Sequence, residues 1–399
     1  MNGITAGEFP TQFLREDGRR TATANERVVI DLLSRNGSAS RADLARWTGL
    51  APHSITRLVE PLLARGLLSE SAPVVAGRGK PATKISLVGD AAFSIGLSVM
   101  TDTVSLVLLD LAGNITNACS EQLSHTTLPT ACAQMRRMME SAIINAKRDP
   151  STLIGIGVGV TGYFIGDGAK LNPPLLLDSF ALVPLDTLLA NAFGQKVWID
   201  NDGNVAAIGE AMLGHGREVR DFAYLYFSAG FGGGVISNGQ VLRGRHGNAG
   251  EFASILPFGW KQPNLEALRL GFSAAGVDYP DLHAMLGEFD PDHAAVDAWL
   301  DASMPSLDLV ASSISATLDP EAIVLGGRLP QQLAQRMVDR ITLTNPERRG
   351  YHRPCARIVA SMIDGDATAI GAATLPLKAA FFPGLDSSSG SGVGDGDGS

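Results

Sequence analysis

With 399 residues, 45% hydrophobic and 18% charged, the chain is long enough for two or three domains that each bury a core. No apolar run approaches the ~20 residues of a membrane span, no basic-then-apolar leader opens the chain, and Cys119, Cys132 and Cys355 are too scattered for a disulfide framework or zinc cluster. The net charge of −9 is uneven, with 12 Lys and Arg against 9 Asp and Glu in residues 1–90 and 20 against 32 beyond them: a basic front on an acidic body.

In chain order, residues 1–20 read as unstructured, and a cytoplasmic protein is expected. Residues 24–36 read as a helix with Val29, Leu32 and Leu33 inward and Gly37 past its end. Ser40–Thr48 reads as a second helix, capped by its serine. A third runs from Pro52 to Arg65, with Ile55, Leu58, Val59, Leu62 and Leu63 on one face. Its outward residues near the start are His53, Ser54, Thr56 and Arg57, the positions that helix–turn–helix docking sets in the major groove. Ala51 is a poor cap, although Pro52 suits the first helical position, and Pro61 is expected to kink the helix near Glu60. Leu67–Glu70 and Lys84–Val88 then flank Gly77-Arg78-Gly79-Lys80-Pro81, a hairpin wing whose tip carries Arg78 and Lys80. A small helical bundle for protein contacts is the plainer alternative.

From Phe93 the pattern turns to α/β. Strands are expected at 93–99, 104–109, 154–160, 197–200, 223–227, 234–237, 322–325 and 357–361. Helices fall at about 129–147, 185–193, 204–213, 305–318, 331–341 and 368–379. The strand–helix pattern recurs in two halves, which suits two lobes with a cleft between them. Trp198–Asn204 places Asp202 at the end of an apolar strand. Residues 228–251 put Gly230, Gly232, Gly233 and Gly234 around one expected bend. Glycine allows positive φ and close ligand approach, so such a turn can offer N–H groups to an anion. A carboxylate facing it could take the proton of a hydroxyl beside a nucleotide phosphate. For Asn201 and Asp202 the plainer reading is a helix cap.

Several segments, in order, resemble the ROK family (repressors, open reading frames and kinases), and specifically its repressor branch, over about residues 24–375. SRADLARWTGLAPHSITRLVEPLLARGLL is similar to that branch's winged helix–turn–helix, and GRGKPATKISL to its hinge. IGIGVGVTGYF, WIDNDGNVAAIGE, FSAGFGGGVISNGQVLRGRHGNAGEF and AIVLGG follow in the family's order. The resemblance implies an actin-like ATPase fold, sugar binding in the interlobe cleft, and a homodimer or homotetramer. It also implies sugar contacts by Asn172, Asn201, Asp202, Glu251 and Glu266, with Asp202 at the position of the kinase base.

The kinase pattern itself is broken. Where active relatives have an Asp-x-Gly-Gly-Thr turn for ATP phosphates, Ser98 replaces the Asp, Met100 and Thr101 the glycines, and Asp102 the Thr. Side chains at the glycine positions block close backbone approach, and Asp102 opposes polyphosphate. Ala229 stands where relatives have Thr. The family's zinc motif is also missing: Ser254 replaces its His, and no cysteine lies between Phe258 and Leu268. Loop 255–268 is therefore expected to be held by packing of Phe258 and Trp260, with His246 as a candidate substitute for the lost His.

The expected architecture is an N-terminal winged helix–turn–helix (21–90) followed by a two-lobed α/β actin-like ATPase (sugar kinase, RNase H-like) fold. Its lobes span 91–203 and 204–380, and a Gly/Ser-rich tail, 384–399, reads as disordered. The expected function is a sugar-responsive transcriptional regulator, a repressor, whose partners are a duplex DNA operator and a monosaccharide or sugar phosphate. It would have no metal, no cofactor and no membrane partner. An ATP-dependent hexose or amino-sugar kinase is the alternative, and a regulator answering to a protein partner is a third reading.

Overall fold

The computed structural model describes residues 21–71, 83–123, 127–166 and 170–383. Arg78 and Lys80, residues 1–20 and the tail 384–399 lie outside the described residues.

Three helices open the fold: α1 (Ala24–Asn36), α2 (Arg41–Thr48) and α3 (Pro52–Ala64). Thr23 and Ser40 start the first two with reciprocal capping boxes to Glu26 and Asp43. The third has no side-chain cap and begins at Pro52; it remains helical past Pro61. Strands β1 (Ser38–Ala39), β2 (Leu68–Glu70) and β3 (Ile85–Leu87) form an antiparallel sheet in the order β1-β3-β2. Val29, Ile30, Leu33, Leu44, Ile55, Val59 and Leu62 are the buried apolar faces of the three helices.

The body then builds one topology twice. The first pass is β4 (Phe93–Val99), β5 (Thr103–Asp110), β6 (Ile115–Gln122), α4 (Leu128–Asn145), β7 (Leu153–Val160), the hairpin β8 (Tyr163–Ile165) and β9 (Lys170–Asn172), α5 (Leu185–Phe193), β10 (Val197–Asn201) and α6 (Asp202–Leu213). The second is β11 (Phe222–Phe227), β12 (Phe231–Ser237), β13 (Gln240–Val241), α7 (Leu265–Ala274), α8 (Leu282–Gly287), α9 (Ala294–Thr317), β14 (Ala322–Gly327), α10 (Gln331–Val338), β15 (Arg357–Ala360) and α11 (Ala367–Phe381). Their sheets run β10-β7-β4-β5-β6 and β13-β12-β11-β14-β15. In each, the first strand pairs antiparallel with the second and parallel with the fourth. This repeat is the two-lobed α/β arrangement, with a separate apolar core in each lobe.

Helix α11 is buried along almost its whole length, because it lies against the first sheet, α6 and the N-terminal helices. Glycines let it approach closely: a Cβ on Gly157 of β7 would sit 1.8 Å from the Ala372 carbonyl oxygen. Its far end meets α1. Arg27 donates to the carbonyls of Ala379 (2.9 Å) and Phe382 (3.3 Å), and Ala22 N–H donates to Ala380 (2.9 Å).

Two expectations need correction. Gly232, Gly233 and Gly234 do not line a bend: they lie inside β12, and the turn is Ser228–Gly230. The reason is packing, since a Cβ on Gly233 would meet the Tyr224 carbonyl at 2.0 Å and one on Gly234 the Ala207 methyl at 2.8 Å. Helix α9 also begins at Ala294, eleven residues before the expected start, and carries Pro305 in its interior. Helices α7 and α8 and strand β6 were not read from the sequence.

Candidate functional site

Asp202 opens α6 at the end of β10, where the first sheet faces the second lobe. Its carboxylate is buried and accepts from Thr161 Oγ1 (2.8 Å) and its neighbour's N–H at Gly203 (2.9 Å). Burial pushes its pKa up to about 7; the nearby charge of Glu251 adds to the rise, while the Thr161 and Gly203 hydrogen bonds oppose it. Glu251 is itself raised by burial. The two carboxyls are close enough to interact, and Asp202 titrates near neutrality.

Asn201 is the α6 cap, as the plainer reading had it. Its Oδ1 accepts from Gly203 N (2.8 Å) and Asn204 N (3.2 Å), and Nδ2 donates to the Gly162 carbonyl. One amide hydrogen is left for a ligand. Asn172 ends β9 opposite Tyr163 and donates to its hydroxyl at 2.6 Å. Residues 243–251 close over this corner. Asn248 clamps the Phe164 peptide, accepting its N–H and donating to its carbonyl at 2.8 Å each, and Arg243 pairs with buried Asp200. Asn201, Asp202 and Glu251 thus lie together, with the Asn172 carbonyl beside Gly162, which Asn201 contacts. Glu266 stands apart on α7, forked to Arg269 at 2.6 and 2.9 Å. Thr161, Asn248 and Arg243 were missed by sequence reading; Thr161, a polar residue just past the apolar β7, carried the clearest signal.

The turn at 98–102 is filled by the protein itself. Met100 is buried against the second lobe, with Sδ 4.0 Å from Tyr226 Oη and 3.9 Å from Ser228 Oγ. Asp102 crosses to Arg328, just past β14, whose Nη1 lies 2.8 and 2.9 Å from its two oxygens, and it accepts from His283 N (3.1 Å). A cavity of about 390 Å³ beyond this pair is lined by Thr103, His283, Gly326, Arg328, Asp364 and Asp366. Its one arginine is already neutralised and two further carboxylates face it, so these residues do not fit a nucleotide polyphosphate.

Loop 255–268 is not held by its aromatics: Phe258 is fully exposed and Trp260 is 45% exposed. Hydrogen bonds hold it instead, from Ser306 Oγ to the Lys261 carbonyl (2.6 Å), Trp299 Nε1 to Asn264 (3.0 Å) and Leu265 N to Ser228 (2.8 Å). His246 is exposed. On α3, His53, Thr56 and Arg57 are exposed and Ser54 is half-buried, while the neighbouring Arg41 is fixed by Glu60 and Glu70.

Residues 94–257 match the ROK family profile. The chain is 29% identical to uncharacterized protein y4fQ of Sinorhizobium fredii, over 92% of this chain and 94% of that protein. It is 25% identical to the xylose repressor of Caldicellulosiruptor bescii over 57% of each chain. It is 27% identical to the DNA-binding transcriptional dual regulator NagC of Escherichia coli, over 58% of this chain and 57% of that one. The matches to the named repressors therefore span a little over half of each. Among solved structures, a ROK family transcriptional regulator homologous to the E. coli MLC protein superposes with a TM-score of 0.63 at 21% identity, covering 90% of this chain and 96% of that one. A ROK family glucokinase from Streptomyces griseus superposes at 0.53 and 20%, covering 71% and 99%. These two likenesses establish the shared actin-like ATPase-type fold.

Proposed function

We propose that the chain is a sugar-responsive, DNA-binding transcriptional repressor whose body is a ROK kinase fold that no longer transfers phosphate. The observation that carries this reading is the turn at 98–102, where Met100 and the Asp102–Arg328 pair occupy the ground a nucleotide phosphate would need. The repressor names of the relatives support it. Residues 21–90 act as a winged helix–turn–helix, with His53, Ser54, Thr56 and Arg57 of α3 toward the major groove and Arg78 and Lys80 on the wing. Residues 91–203 and 204–380 are the lobes. A monosaccharide or its phosphate binds between them through Asn172, Asn201, Asp202 and Glu251, without Glu266, and the protein works as a homodimer or homotetramer in the cytoplasm.

Helix α11 supplies the coupling. Near its start Thr368 Oγ1 bonds Tyr226 Oη at 2.8 Å, beside the Asp202 charge. About 17 Å along, at 1.5 Å per residue, the Ala379 carbonyl in its last turn accepts from Arg27 of α1. A sugar that prefers one lobe arrangement shifts this helix, and with it the DNA module; only a difference in affinity between the two states can do so.

The deciding experiment is fluorescence anisotropy of the full chain on duplex from its own upstream region, with a panel of monosaccharides and sugar phosphates. One of them should release the DNA, and Glu251→Ala should abolish that release. Sugar-dependent ADP formation that disappears in Asp202→Asn would overturn the reading in favour of a kinase.

A further inference from the structure

The loop between α10 and β15 carries Arg348, Arg349 and Arg353, and Arg357 opens β15; all four are exposed. None of these guanidiniums has a carboxylate or hydrogen-bond partner among the described residues. Five other arginines of the lobe are engaged differently. Arg243, Arg269, Arg328, Arg336 and Arg340 each pair with an Asp or Glu. On a chain of net charge −9 those five found carboxylate partners, whereas the hairpin's own carboxylate, Glu347 beside Arg348, forms no ion pair with any of the four among the described residues.

The hairpin is built, not loose. Arg348 and Tyr351 exchange backbone hydrogen bonds at 2.9 and 3.1 Å across a two-residue turn, with φ of 56° at Arg349 and 82° at Gly350. Positive φ at both central residues matches the tight hairpin turn, which an arginine enters only when its surroundings hold it there. Its base is braced by Asn345, whose Nδ2 donates to the Arg353 carbonyl (2.8 Å) and whose own carbonyl lies 2.9 Å from His352 Nδ1. Tyr351 is 79% exposed beside the arginines.

We propose that this hairpin is a second DNA-contact surface, gripping phosphates of duplex that flanks the stretch under α3. The proposal rests on the DNA-binding reading above. Planar, always-charged guanidiniums match phosphate oxygens two at a time, and a tyrosine hydroxyl adds a further donor. Duplex DNA is favoured over an acidic peptide by position. The hairpin leads into Arg357, level with Ala322 and, through β14, with Phe222. Arg35 of α1 contacts the chain just before that same strand end, donating to the Gly216 carbonyl at 3.0 Å. The N-terminal module and the arginine hairpin therefore serve one end of the second sheet.

The test uses the full chain, a long duplex from its own upstream region and the same duplex trimmed to its centre, by anisotropy across a salt series. Wild type should bind the long duplex with the steeper salt dependence. Arg348→Ala/Arg349→Ala/Arg353→Ala should lose that excess, its log–log slope falling by ~0.9 for each phosphate contact removed. Binding to the trimmed duplex should stay unchanged, and the matching Lys triple should keep most of the slope. An unchanged slope in the Ala triple on the long duplex overturns the inference and leaves α3 as the reader. Loss of polyglutamate binding in that variant, with DNA slopes intact, also overturns it and assigns the surface to acidic peptides. Failure of wild type to bind either duplex overturns the DNA-binding reading along with it.

Discussion

Removing Arg328 probes what holds the turn at 98–102. Its guanidinium and the Asp102 carboxylate are each about one-tenth exposed and join the two lobes through contacts of 2.8 and 2.9 Å. Arg328→Ala leaves Asp102 buried with the His283 N–H at 3.1 Å and the Thr103 hydroxyl at 3.4 Å as its remaining donors. Stranding one member of a buried pair costs about 3–5 kcal/mol, whereas exchanging both members for apolar residues of similar size is often neutral. Asp102→Leu/Arg328→Met should therefore be far more stable than either single variant, with a coupling of roughly 2–4 kcal/mol in the double-mutant cycle. Urea unfolding of the four proteins, compared where their slopes agree, measures it. A coupling below about 0.5 kcal/mol would mean that the pair is effectively solvated. The turn would then be open, and the argument against phosphate binding would lose its structural half.

Two further outcomes follow from buried polar groups. Because burial lifts Asp202 from 3.8 to about 7, the folded chain keeps a proton that the unfolded chain releases. Its contribution to stability is full below pH ~4 and drains as pH rises to ~7, by on the order of 4 kcal/mol. Asp202→Asn should thus melt higher than wild type at pH 8 and close to it at pH 4; equal shifts at both would refute the assignment. Arg27→Ala removes the cap that ties α1 to the end of α11, so sugar should still bind while DNA release weakens by about 0.5–2 kcal/mol of coupling. Release as strong as in wild type would remove α11 from the route.

The fold was legible wherever the chain states its own period. Helices α1 and α2 declare themselves through apolar spacing and end signals, α3 through apolar spacing and Pro52, and the inner strands of both sheets through apolar runs between turns, whereas the polar edge strand β6 does not. Proline misled at Pro305, since a helix already built on either side tolerates the lost bond. The Gly-rich stretch misled for another reason. Glycine permits a bend, but it equally permits a helix to lie against a strand, and only the three-dimensional contact of β12 with α6 tells which.

The site divides in the same way. Asn201 and Asp202 were visible because their strand and helix are adjacent in sequence, and the capping role of Asn201 follows from local geometry alone. What completes the site is distant along the chain. Asn248 reaches Phe164, 84 residues away, and Arg328 reaches Asp102, 226 residues away. The resemblance to ROK kinases implies that Met100, Thr101 and Asp102 spoil a phosphate turn, which by itself describes a loss. The structure shows that the same substitutions make an apolar plug and an interlobe ion pair. On the proposed reading, a sugar at Asp202 and Glu251 would work against a fixed support at the Asp102–Arg328 pair, and motion it caused would leave through α11, toward the helices that Arg27 ties to that helix's end.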